Sequence, residues 1–252
     1  MSKKHHFFWD VGAAEFSPLA LTSLAFWTRG DLGTYQSEGG AAATLDGDPI
    51  GQWQDQSGNT RHAVQATTAL KPTLRPTAVA SQPSDEGDGG DILVTPSFAL
   101  AAVHCFVILK IASHASVRMV VEHGSDAFNN PGFAIITGAP GGGAGTSVKG
   151  DSARVIVAAP SADWWNDGTV VCAEVRASSA GVSIYKNGAL GASSATDPGA
   201  ISSQVLNLFA RTGAAIGTVG HVAEVVLCSA VQSAGDITDL YAYFTDRYGI
   251  TF

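Results

Sequence analysis

The sequence predicts an all-β sandwich of two antiparallel sheets with one helix at the C-terminus. Three observations predict it. Short apolar runs alternate with turn-forming residues along most of the 252-residue chain. Only 14% of residues are charged while 29 are glycine, which suits strands joined by tight turns better than helices with charged outer faces. Near the C-terminus alone does the apolar spacing become helical.

The elements follow in chain order. Residues 1–18 read as an N-terminal arm, and residues 19–252 as the domain. In the arm, Phe7, Phe8 and Trp9 follow Lys3-Lys4 and His5-His6. Three consecutive aromatics are poorly solvated, so they dock on this domain or on a partner chain, and they are the candidate anchor. Strands are expected at 24–27, 50–54, 103–111, 117–121, 133–137, 154–158, 169–175, 182–185, 205–209 and 221–227. Asn187-Gly188 between two alternating runs calls for a type I′ hairpin, because both central residues need positive φ. Residues 81–91 (SQPSDEGDGGD) and 138–150 (GAPGGGAGTSVKG) read as loops, one acidic and one glycine-dense. Trp27, Trp53, Phe106 and Phe209 are the expected inward anchors. Ser233 with Asp236 caps a helix whose apolar face holds Ile237, Leu240, Tyr241 and Phe244, and Gly249 stops it. That helix is expected to cover a sheet edge or open end.

Composition narrows the function. A net charge of −8 with few Lys and Arg lacks the footprint that neutralises phosphates, so no nucleic acid is expected as partner. No apolar run of about 18 residues occurs, so no membrane insertion is expected. His5, His6, Asp10 and Glu15 interrupt any export signal, which points to synthesis in a cytoplasm. Cys105, Cys172 and Cys228 sit in apolar runs without CxxC spacing and read as small buried hydrophobes.

Five stretches resemble a known superfamily. Leu24-Ala-Phe-Trp-Thr-Arg-Gly-Asp-Leu-Gly33 is similar to an opening strand, and Trp53 with Asp55-Gln-Ser-Gly-Asn59 to a W-x-DQSGN segment. Asp91-Ile-Leu-Val-Thr-Pro96 looks like an edge strand, and Ile184-Tyr-Lys-Asn-Gly188 like an lYvNG hairpin. The last stretch ends in a helix closing on Tyr243-Phe-Thr-Asp-Arg-Tyr-Gly-Ile250. Together they resemble the concanavalin A-like lectin/glucanase superfamily, in particular LamG-like jelly-roll modules of the kind found in phage virion proteins. The resemblance implies a concanavalin A-like jelly-roll sandwich whose loops hold ligands. It says little about function, since the fold hosts lectins, hydrolases and structural modules alike.

Hydrolases of this superfamily align two carboxylates on one strand. The nearest string, Glu86-Gly-Asp88-Gly-Gly-Asp91, reads as loop, and Glu174 and Glu224 stand alone on their strands. No catalytic residue is assigned. Candidate ligand contacts are Trp164, Trp165 and Asn166 at one turn, and Asp126, Phe128, Asn129 and Asn130 at another. Of the two adjacent tryptophans, one strand position faces the core, so the other rests on a neighbouring segment or meets a sugar. No cofactor is required. Calcium is the one candidate ion, through the oxygens of Asp126, Asn129 and Asn130, with Asp85, Glu86 and Asp88 as further donors. These residues are equally ordinary in turns.

The expected function is that of a non-catalytic virion protein of a phage or phage-like particle, as capsid decoration, spike or tail-associated adhesion module. Its partners would be other virion proteins through the arm, surface glycans, and further copies of itself as a homo-oligomer. A free carbohydrate-binding lectin module is the alternative, and a divergent glycoside hydrolase the third.

Overall fold

The computed structural model describes residues 16–112, 116–127, 129–138, 144–161, 164–165 and 167–252. The anchor residues Phe7, Phe8 and Trp9, and the candidate contacts Phe128 and Asn166, lie outside the described residues.

Val103–Lys110 (VHCFVILK) and Val219–Cys228 (VGHVAEVVLC) are rich in Val and other apolar residues, and they pair antiparallel at the centre of the first sheet. From one edge, that sheet runs Ala189–Ser194, Gly181–Lys186, Val170–Ser178, Val103–Lys110, Val219–Cys228, Gln82–Asp88, Thr73–Val79. Leu24–Arg29 also pairs with Val219–Cys228, end to end with Gln82–Asp88 along the same side. The second sheet runs Arg154–Ala158, Gly145–Lys149, Gly132–Thr137, Arg118–His123, Leu206–Leu208, Leu93–Val94, Ala63–Val64, Gln52–Trp53, Thr34–Tyr35. Both are antiparallel, so the architecture is the expected two-sheet sandwich. The core between them includes Val107, Leu109 and Val225 from one sheet and Phe133, Ile135 and Leu208 from the other. Within it the rings of Trp53 and Phe209 stack at 6.4 Å.

The central strands show no polar alternation because a second apolar layer covers the first sheet's outer face. The helix Ala234–Tyr248 lies there, burying Leu240, Phe244 and Tyr248 against Trp27, Phe106, Ile108 and Val226. Two expectations change here. The helix covers a face, not an edge, and Trp27 and Phe106 point at it instead of into the inter-sheet core. The helix ends are as expected: Ser233 and Asp236 form a reciprocal capping box, and Gly249 closes it at φ 66°.

Glu224 fastens the helix from below. This buried carboxyl accepts from Trp27 Nε1 at 2.7 Å, Tyr248 Oη at 2.8 Å and Tyr243 Oη at 3.0 Å. Burial pushes its pKa up to about 7, against the opposing pull of these donors.

Both segments expected as loops contribute strands. Gln82–Asp88 is paired on both sides, by Thr73–Val79 and Val219–Cys228. Its poor intrinsic preference is overridden because Glu86 meets Arg75 at 2.5 Å, while its neighbours complete a ladder inside the sheet. Gly145–Lys149 fills the gap between Gly132–Thr137 and Arg154–Ala158. The Asn187-Gly188 turn has φ 48° and 74°, as a type I′ hairpin demands. All three cysteines are free and buried.

Candidate functional site

The Asn187-Gly188 turn joins Gly181–Lys186 to Ala189–Ser194, the edge hairpin of the first sheet. The two faces of this hairpin carry different chemistry.

On the core side lie the paired tryptophans. Trp165 is wholly buried, and its indole N–H donates to the Tyr185 carbonyl at 3.0 Å. It is a core residue and presents no surface to a ligand. Trp164 is half-buried, 5.4 Å from Trp165 by ring centroids, and packs against Gly191. A Cβ at residue 191 would stand 2.3 Å from that indole, so glycine is what admits the ring. Beside them Lys186 Nζ binds Asp167 at 2.7 Å.

On the outer side, next to the helix, is an open groove of about 350 Å³. Arg176 is the one charged residue among the described residues lining it. Its guanidinium lies 4.0 Å over the Tyr185 ring. Nε donates to Glu174 at 2.5 Å, and Nη2 to Tyr241 Oη at 3.3 Å. Glu174, wholly buried, also accepts from Tyr241 Oη at 2.5 Å and from His104 Nε2 at 2.8 Å. The Gln232 N–H donates to His104 Nδ1, which leaves the ring proton on Nε2. Burial lowers the His104 pKa, so the ring stays neutral at pH 7. Burial alone would raise Glu174, but the His104 and Arg176 donors hold it below its ordinary value. Ser178, Ser183 and Ser193 add hydroxyls to the groove, and Leu190 and Val231 form an apolar rim. This constellation is assembled from three strands and the helix. The sequence signal for it was Glu174-Val-Arg176, two charges at same-face spacing inside an apolar run.

The second candidate turn folds back on the outer face of the second sheet. Asp126, Asn129 and Asn130 do come together there. The Asp126 carbonyl accepts from both following asparagine N–H groups. Its carboxylate meets the Asn129 amide at 2.7 Å and Arg211 Nη2 at 3.1 Å. Arg211 also grips the buried Glu122, which accepts from the Ala127 N–H at 3.0 Å. The carboxylate that calcium would need is therefore engaged by a guanidinium and an amide, as in a stapled turn. Asp85, Glu86 and Asp88, by contrast, do not converge. Asp85 shares a face with its cross-strand partners Leu74 and Val222, in the inter-sheet core. Glu86, on the opposite face of the strand, meets Arg75. Among the described residues no cluster of three His, Cys, Asp or Glu side chains is placed to hold a metal.

A larger cleft of about 700 Å³ lies over the helix beside Phe16, the first described residue. Arg29 and Arg247 on its wall are both paired with Asp31, at 2.6 and 2.7 Å.

No known protein family matches the chain, and no curated protein matches it. Solved structures do. Domain 4 of AbnA, a GH43 extracellular arabinanase from Geobacillus stearothermophilus, solved with arabinotriose, aligns with a TM-score of 0.58 at 13% identity. The alignment covers 75% of this chain and 92% of that one. The botulinum neurotoxin serotype D binding domain aligns at 0.62 and 11% identity, over 94% of this chain and 56% of that one. A Trypanosoma rangeli sialidase in complex with the inhibitor DANA aligns at 0.55 and 10% identity, over 86% of this chain and 32% of the enzyme. The chain thus spans about half of the toxin domain and a third of the sialidase. At these identities the likeness shows the fold alone: a two-sheet β-sandwich.

Proposed function

We propose that the chain is a glycan-binding module of the concanavalin A-like lectin kind, which acts by binding and not by turnover. The outer groove of the edge hairpin supports this best. It combines a fixed guanidinium, several hydroxyls and an apolar rim, the mixture that a sugar with one C–H face and many hydroxyls requires. The fold adds support, since it is shared with an arabinanase domain solved with arabinotriose and with a toxin domain solved with N-acetylneuraminic acid. We place the module on a phage or phage-like particle, as capsid decoration, spike or tail-associated adhesin. The aromatic segment at Phe7, Phe8 and Trp9 is the anchor in this proposal, and weak single contacts gain strength from many copies.

A glycan array tests the binding. The wild-type chain should retain glycans that the Ser193→Trp variant, which fills the groove from an exposed strand position, does not. An array on which the wild type retains nothing refutes the proposal. Deleting residues 2–17 should abolish incorporation into particles while leaving the array pattern unchanged; retained incorporation would refute the arm as anchor, and a full-length chain that never enters particles would favour a free lectin.

A further inference from the structure

On the glycan-binding proposal rests a narrower one: we infer that the groove beside the edge hairpin takes a sugar bearing a carboxylate, gripped by Arg176. The guanidinium has five N–H donors in a fixed fork. Glu174 takes the one on Nε and Tyr241 one on Nη2, and the others are left for the groove that Arg176 lines. A planar pair of N–H groups matches the two oxygens of a carboxylate.

The site is built, not incidental. Glu174 is wholly buried behind Arg176 and shares its charge among three donors, from His104, Arg176 and Tyr241. The Tyr185 ring supports the guanidinium from the side. Arg176 is therefore held in one orientation before any ligand arrives, which removes the entropy cost that a free arginine would bear on binding. Glu174 balances the charge of Arg176 overall, but the guanidinium stands nearer the groove. Selection therefore comes from hydrogen-bond geometry at short range, not from the field of a chain whose net charge is −8. Among the described residues no acidic side chain lines the groove to repel a carboxylate. Its volume, about 350 Å³, is near the small end of ligand sites and admits one or two sugar rings. Ser178, Ser183 and Ser193 can then meet ring hydroxyls, and Leu190, 58% exposed, can meet a C–H face.

The carboxylate can come from a uronic acid or from a nonulosonic acid of the sialic type. Titration calorimetry with galacturonic acid oligomers and with N-acetylneuraminic acid oligomers separates these sources. Each is run beside its methyl ester and a neutral oligosaccharide of equal length. One acidic series should bind, and its methyl ester should bind roughly 10- to 100-fold more weakly, the size expected for losing a hydrogen bond to a charged group. Arg176→Lys keeps the charge but loses the fork, and it should weaken the acidic series by a comparable factor and so erase its advantage over the methyl ester. Ser193→Trp should abolish binding with the far-UV spectrum and the urea midpoint retained, which guards against a general folding defect. Equal affinity for acid, ester and neutral sugar would overturn the inference and leave glycan binding standing. No binding to any saccharide would remove both.

Discussion

Replacing Glu224 with Gln removes a buried titrating group while keeping its shape beneath the helix. In the folded protein this carboxyl loses its proton near pH 7, against an ordinary value of 4.5. Between those two pH values the unfolded chain has released the proton and the folded chain still holds it. The unfolded state then binds fewer protons, so stability falls as pH rises through that window and is level outside it. At about 1.4 kcal/mol for each pH unit, the drop attributable to Glu224 is about 3 kcal/mol. Asp85, raised well above its ordinary value by burial, acts with the same sign. Glu174, held low, acts with the opposite sign: its contribution is present above its unfolded value and lost on acidification. Both cancel when the variant is subtracted from the wild type. Urea unfolding of the two proteins at pH 4.5 and pH 8 gives the required difference. The wild type should lose about 3 kcal/mol relative to Glu224→Gln between these conditions. A difference that stays constant, or that grows in favour of the wild type as pH rises, would refute the account of the buried clamp.

Two further outcomes follow from packing. Gly191→Ala places a methyl 2.3 Å from the Trp164 indole, so that ring must move. A loss of about 1–3 kcal/mol is expected, with a red shift in tryptophan emission, and unchanged emission would show that Trp164 does not rest there. Asp85 is fully buried, and neither carboxyl oxygen has a partner. Asp85→Val should therefore raise stability by about 1–3 kcal/mol at neutral pH, seen as a higher urea midpoint with unchanged slope. A lower midpoint would mean that the carboxyl is serving a contact inside the core.

The parts of the fold legible in the sequence are those fixed by local chemistry. Asn187-Gly188 specifies its turn by backbone sterics, and Ser233 and Asp236 specify a helix start by pairing with each other's backbone. What escaped was set by partners far along the chain. Gln82–Asp88 contains Pro, Gly and three acids and becomes a strand only because ladders form on both sides. Trp27 and Phe106 face the helix, a direction that cannot be read where both faces of a strand are apolar. The site shows the same division. The sequence flagged Trp164 and Trp165 and limited the core-facing position to one of them. It did not gather Arg176, Tyr185, Glu174, Tyr241 and His104, which meet only after the hairpin and helix have docked.

The central position of Val219–Cys228 has a consequence for biogenesis. It separates Val103–Lys110 from Leu24–Arg29 and Gln82–Asp88, so three earlier strands wait for a partner that follows every other strand of the sandwich in the chain. Until that strand is made their edges stay open and their apolar faces unlayered, and closure must wait for it to leave the ribosome. Nascent fragments ending before residue 219 should therefore depend on chaperones, and chaperone dependence should fall once that strand is included.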